Sequence, residues 1–261
     1  MKHSQKYKTA MGSGQVILRP RDEDGLLDNN TQTEYRSGVG MLLYLLKHSR
    51  PDLSNSVREL SKVMDGATEG HMKAMYRVVK YVLDTKEWRF KMNTSYDYKE
   101  GWRVEAYSDS DYAGDRDTRR SVSGYIITIN GCVVSWRSRG QKSVTLSSSE
   151  AEFVAASEAV TEMKYIKQVL EGIGEKIDLP MKLKMDNVGA IYMAKNQAPG
   201  QRSKHVDIRY NYVKELVENK ELEVEFVKSE NNLADIFTKN VRESLNEKLT
   251  ETYMDKREKD E

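Results

Sequence analysis

From Trp102 onward the chain changes its hydrophobic period, and that change limits the architectures open to it. Val104, Ala106 and Ser108 alternate with Arg103, Glu105 and Tyr107, the pattern of a half-buried strand, ending here at Asp109. GYIITING (124–131) and CVVSW (132–136) are β-rich and meet at Asn130-Gly131, a strong hairpin signal. A long amphipathic helix over 149–173 follows. MKLKMDN (181–187) then reads as a strand, GAIYMAKN (189–196) and 204–219 as helices, LEVEFV (222–227) as an alternating strand and 232–240 as a last helix. Strands that can pair antiparallel, then strands separated by helices, specify an α/β mixed sheet with helices on its faces.

Upstream the period is helical. Tyr35, Val39, Leu42, Leu43 and Leu46 mark one helix before Pro51, Leu53, Val57, Leu60 and Met64 a second, and Met75, Val78, Val79 and Val82 a third. The expected organisation is a Gly- and Pro-punctuated, loop-like or partly disordered stretch over 1–32, a small helical unit over 33–100 and the α/β domain over 102–241. Residues 87–101, ahead of that domain, read as a strand or connector, and the charged tail 242–261 is expected to fray. Lys and Arg total 42 against 41 Asp and Glu, which argues against a generic polyanion binder. A single cysteine excludes a disulfide framework and a Cys-rich zinc site, and four scattered histidines offer no metal-ligand spacing. No apolar run approaches the ~20 residues of a membrane span, and MKHSQKYK lacks a signal-peptide core, so an intracellular protein with no membrane partner is expected.

Four carboxylates fall where these apolar patterns end or turn inward: Asp109, Glu152, Asp186 and Asp235. Positions +4, +7, +11, +14 and +18 from Glu152 are Ala156, Ala159, Met163, Ile166 and Leu170, whereas +7, +11 and +14 from Glu150 are Ser157, Thr161 and Lys164. Glu152 therefore points toward the sheet, and Glu150 is an ordinary first-turn acid favoured by the helix dipole. Asp186 ends a strand, and Asp235 lies in the first turn of the last helix after Asn231 or Asn232 as N-cap. Taken singly, acids in such places are turn formers or dipole-favoured residues. Four converging on one point would instead need a cation, and Mg²⁺ takes oxygen ligands of this kind.

YSDSDYAGDRDTRRSVSGY, VSWRSRGQKSVTLSSSEAEFVAASEA, MDNVGAIYMAKN, SKHVDIRYNYV and NNLADIFTK, in that order, resemble the ribonuclease H domain of copia-type retrotransposon Pol polyproteins. EYRSGVGMLLYLLKHSRPDLSNSVRELSKVMDG and YVLDT resemble the C-terminal thumb or connection part of the same element's reverse transcriptase. The resemblance implies a ribonuclease H-like mixed five-stranded sheet flanked by helices, preceded by a small helical subdomain. Its Asp–Glu–Asp–Asp set falls on Asp109, Glu152, Asp186 and Asp235. Two departures stand out: no two aspartates are adjacent, so no polymerase activity is expected, and Lys228–Asn232 lacks the histidine that cellular ribonucleases H often place there.

The implied activity is endonucleolytic cleavage of the RNA strand of RNA–DNA hybrids by two Mg²⁺ ions, which Mn²⁺ could replace, with Asp109 bridging them. Asp111 is a turn residue or an outer-shell acid. Substrate contacts are expected from Ser110, Ser148 and Asn187 near the metals. Arg137, Arg139 and Lys142 are expected on phosphates, with His205 and Arg209 on one helix face, and Arg116, Arg119 and Arg120 as a further basic group. The partners would be a hybrid and the rest of a reverse transcriptase, in a cytoplasmic virus-like particle or the nucleus. The competing reading is an inactive retroelement remnant that binds nucleic acid if it acts at all. An integrase of related fold would need a His/Cys zinc module that one cysteine cannot supply.

Overall fold

The computed structural model describes residues 6–21, 25–92, 101–195 and 204–256, with 204–208 described as backbone alone. Five strands form the central sheet: β2 (Trp102–Asp111), β3 (Val122–Ile129), β4 (Cys132–Gly140), β5 (Ile177–Met185) and β6 (Leu222–Phe226). Their order is β4-β3-β2-β5-β6, which puts β2 at the centre. β3 pairs antiparallel with β2 and with β4, whereas β5 pairs parallel with β2 and with β6. The β3–β4 hairpin turns at Asn130 (φ 51°) and Gly131 (φ 82°), the two successive positive φ values of a tight primed turn. The parallel pairs need crossovers, made by α4 (Ser148–Gly172) and by α5 (Val188–Lys195) with α6 (Lys204–Glu218). The alternation read from 102–108 holds, but β2 runs two residues past Asp109, which therefore sits inside the ladder opposite Gly124.

Alternation along β2 and β3 sorts their side chains onto two cores. Val104, Ala106, Tyr125 and Ile127 pack with Phe153, Ala156, Ala159 and Met163 of α4. Ile126 faces the other way, into a second cluster with Ile236 and Phe237 of α7 (Asp235–Thr238) and Leu249 of α8 (Glu243–Thr250). The tail expected to fray thus folds as far as its described residues extend. Leu249, Tyr253 and Met254 are buried, and β7 (Met254–Asp255) pairs antiparallel with β1 (Arg89–Phe90). The many charges of 242–256 hide a few well-spaced apolar residues, which suffice once a sheet face awaits them. Of the expected connector 87–101, residues 93–100 lie outside the described set.

The helical unit comprises α1 (Asn29–His48), α2 (Ser54–Ser61) and α3 (Glu69–Asp84) around Tyr35, Val39, Leu53, Val57, Leu60 and Val78. Asp28 caps α1 by accepting from Asn30 N and Thr31 N, so the helix begins earlier than residue 33. Residues 6–21 form neither helix nor strand, as expected, yet they are packed: Met11 and Ile17 are buried, and Ile17 N donates to Glu59 Oε2 at 2.7 Å. The unit lies against edge strand β4, with Trp136 Nε1 donating to Leu46 O at 2.9 Å and Arg58 Nε to Ser138 Oγ at 3.1 Å.

Candidate metal centre

Three elements deliver acids to one point. Asp109 comes from central β2, Glu152 from the second turn of α4 and Asp186 from the residue after β5. One carboxylate oxygen of each lies within 4.8 Å of the others. The start of α4 is held firmly. Ser147 Oγ accepts from Glu150 N at 3.1 Å, and Glu150 Oε2 accepts from Leu146 N at 2.8 Å, a reciprocal cap that gives Glu150 a purely local role. Gln141 Nε2 donates to Ala151 O at 2.9 Å and to Ser123 Oγ at 3.0 Å, tying the residue before Glu152 to β3. Asp186 Oδ2 accepts from Ser229 Oγ at 2.5 Å.

Asp235, the fourth acid, is not within that triad. It lies beside Asp109, and Lys239 serves both: its Nζ is 3.2 Å from Asp235 Oδ2 and 3.6 Å from Asp109 Oδ2. The four expected acids are thus arranged as three clustered carboxylates, with Asp235 joined to one of them through an Asp109–Lys239–Asp235 bridge. The short helix α7 makes this possible. Thr238 Oγ1 donates to Asp109 Oδ2. Asn232 Nδ2 donates to Ser108 O at 3.0 Å, while its Oδ1 accepts from Ala234 N at 3.1 Å. Asn232 thus clamps the turn to β2, and Ala234 rather than an asparagine is the N-cap of α7. Gly124, opposite Asp109, permits the close approach, because a Cβ there would lie 2.7 Å from Thr238 Cγ2.

Electrostatics mark the cluster as unsettled on its own. Burial, reinforced by Asp109 and Asp186, pushes the Glu152 carboxyl up to about 9. Burial and Asp109 push Asp235 to about 7, against the pull of Lys239. Asp109 is raised by burial, opposed mainly by Lys239. Lys239 is held protonated: burial acts to lower it, but Asp109 and Asp235 more than offset that. Glu152 Oε2 and Asp235 Oδ1 are buried without a hydrogen-bond partner among the described residues. Clustered, orphaned oxygens of this kind suit a hard divalent cation, which supplies the missing charge and ligation. The donor set fits a divalent metal ion.

The expected substrate residues are scattered by comparison. Ser110 is buried on the α4 side of β2, with its Oγ unpartnered. Ser148 is exposed in the first turn of α4. Asn187 works locally, its Oδ1 accepting from Ala190 N at 2.9 Å and from Ser149 Oγ at 3.3 Å. Arg137 and Arg139 point outward from the same side of β4, opposite Tyr125 and Ser123, and Lys142 is exposed just beyond. Arg209 is exposed on α6, whereas the side chain of His205 lies outside the described set. Sequence reasoning missed Gln141, Gly124, Thr238 and Lys239. Only Lys239 carried a readable signal, one helical turn after Asp235.

No family model matches the chain. It is 37% identical over 209 residues to the retrovirus-related Pol polyprotein from transposon RE1 of Arabidopsis thaliana, an alignment covering 79% of this chain and 14% of that protein. It is 34% identical over 214 residues to the corresponding polyprotein from transposon TNT 1-94 of Nicotiana tabacum, covering 81% and 15%. The chain therefore spans about one seventh of the length of these relatives. Among solved structures, ribonuclease H1 of Halobacterium salinarum aligns with a TM-score of 0.37 and 16% identity, covering 53% of this chain and 95% of that one. At that score the fold rests on the strand order and register given above. Among the described residues, no helix is long and apolar enough to cross a membrane. On the strength of the sequence identities, the chain belongs to the retrovirus-related Pol polyproteins of copia-type transposons.

Proposed function

We propose that this chain is the ribonuclease H portion of such a polyprotein and cleaves the RNA strand of RNA–DNA hybrids in a divalent-metal-dependent reaction. The observation that carries this reading is the triad Asp109, Glu152 and Asp186, whose oxygens lie within 4.8 Å of one another at the centre of a mixed sheet. Bound Mg²⁺ would activate water and neutralise charge on the scissile phosphate. Asp109, the triad member that also faces Lys239, would be the natural shared ligand, and Asp235 would join once Lys239 yields its place. Lys239 meanwhile holds Asp109 and Asp235 in position. Ser110 and Asn187, nearest the triad in sequence, would read the 2′-hydroxyls of the RNA, and Arg137, Arg139 and Lys142 the backbone.

The test is cleavage of a labelled hybrid by the intact chain with Mg²⁺, against Asp109→Asn and against an all-DNA duplex. Cleavage confined to the RNA strand and lost in Asp109→Asn is expected. No cleavage by the unsubstituted chain, with hybrid binding retained, would favour a binding remnant instead.

A further inference from the structure

A pocket of about 350 Å³ opens beside the acidic cluster, on the side away from α4. Its walls come from four places that sequence separates widely: Gln15 of the N-terminal segment, Arg58 of α2, the β2–β3 loop with Arg116 and Arg119, and Lys239 at the end of α7. Lys239 thus faces both the pocket and the carboxylates. Two acids, Glu59 and Asp111, also line it, but Glu59 is already satisfied. Arg58 Nη2 lies 2.6 Å from its carboxylate, Lys62 Nζ lies 2.8 Å away, and Ile17 N donates to it. Arg116 and Arg119 are exposed, and among the described residues neither has an acid within ion-pair distance.

The loop that carries them is ordered by its own hydrogen bonds. Asp115 Oδ1 accepts from Asp117 N at 3.1 Å and Thr118 N at 2.9 Å, and Arg119 N donates to Asp115 O at 2.7 Å. Arg119 adopts φ 58°, a conformation an arginine takes only when its surroundings impose it. The helical unit, together with the N-terminal segment packed on it, supplies those surroundings. Lys62 Nζ of the α2 C-cap lies 3.3 Å from Asp115 Oδ2, an ion-pair distance without hydrogen-bond alignment, and Arg19 N donates to Asp117 Oδ2 at 3.0 Å. At the opposite wall Asn240, next to Lys239, is sewn to the same unit. Its Nδ2 donates to Gln15 O at 2.7 Å, and its Oδ1 accepts from Ser56 Oγ at 3.0 Å.

We propose that this pocket is a phosphodiester subsite, in which Arg116 and Arg119 grip a backbone phosphate of the nucleic acid strand crossing the acidic cluster, and that the helical unit positions it through Lys62 and Asp115. Unpaired guanidiniums around an opening with room for a phosphodiester and its flanking sugar, next to a cluster that would hold the neighbouring scissile group, match a polyanion held at two successive points. This inference rests on the proposed nuclease reading for its ligand, yet its test does not depend on turnover.

Affinity of the intact chain for a fluorescent RNA–DNA hybrid, measured with Ca²⁺ across a salt series, reads it out. Arg116→Ala/Arg119→Ala should weaken binding roughly tenfold or more at low salt. It should also flatten the log K against log salt slope by about 1, near the 0.9 expected for one phosphate no longer neutralised. Arg36→Ala/Lys73→Ala, on α1 and α3, should leave both unchanged. An unaltered slope and affinity in the first pair, with native circular dichroism, would overturn the subsite. Asp115→Asn keeps the loop's acceptor oxygen but removes the charge facing Lys62. It should speed tryptic cleavage at residues 116–120 and weaken hybrid binding, and no change in either would overturn the positioning role of the helical unit. If the unsubstituted chain binds hybrid with the arginine-dependent slope but never cleaves, the nuclease reading fails while the subsite stands.

Discussion

The ammonium of Lys239 lies 3.2 Å from the carboxylate of Asp235, one helical turn away, and also reaches Asp109 at 3.6 Å. Asp235 thus shares a cation with Asp109 and stands beside the Asp109–Glu152–Asp186 triad. Replacing Lys239 by Met leaves two buried carboxylates facing each other. Without divalent metal, unfolding should become easier by about 1–3 kcal/mol, less than the roughly 3–5 kcal/mol for a fully buried pair because the Lys239 side chain is 42% exposed and partly screened. Mg²⁺ should restore more of the melting temperature in Lys239→Met than in the unsubstituted chain, because the vacated position can then accept a cation. Melting scans with EDTA and with Mg²⁺ check this, and equal Mg²⁺ gains in both proteins would argue against it.

Glu152 makes the metal-free fold sensitive to alkali. Its carboxyl is raised to about 9, against an ordinary value of 4.5. Between those values the unfolded chain has lost the proton and the folded chain keeps it, so stability falls as pH rises through that window. Glu152→Gln removes this dependence. In EDTA at pH 8 the variant should melt higher by on the order of 3 °C for each kcal/mol recovered. The difference should vanish near pH 4, below the unfolded-state value. Divalent metal should reverse the ranking, since only the glutamate can ligate it as an anion.

Gly124 governs how closely α7 approaches β2. A Cβ at this position would lie 2.7 Å from Thr238 Cγ2 and 2.8 Å from Phe237 Cβ. Gly124→Ala should therefore cost about 1–3 kcal/mol, as overpacking does. Because the displaced helix carries Thr238 and Asp235, hybrid cleavage should fall further than stability does. Denaturant titration alongside single-turnover cleavage separates the two effects.

Leu249 is buried in the second core, against the sheet face opposite α4. Leu249→Ala should destabilise the protein by about 2–5 kcal/mol, the range for truncating a buried leucine. A substitution in a frayed tail would instead register nothing, so a single denaturation curve distinguishes the two pictures.

Local pattern was enough for much of this molecule. Alternation through Val104 and Ala106, the Asn130-Gly131 turn, and the choice of Glu152 over Glu150 depend on neighbours within a few residues, and the structure follows all three. What the local pattern did not show was packing that comes from distant partners. Residues 6–21 lack any period but bury Met11 and Ile17 against the helical unit, and 243–255 fold because Ile236, Phe237 and β1 receive them.

The same division runs through the site. Backbone geometry over a few residues sets strand and helix periods, so the chain's own pattern was sufficient to tell which carboxylates face inward. That three of them meet, and that the fourth shares a lysine with Asp109, emerges from tertiary packing. Packing alone brings Asp109, Gly124 and Thr238 together across 129 residues of chain. Distances of that kind follow from how whole elements settle against one another, and no periodicity in the chain encodes them.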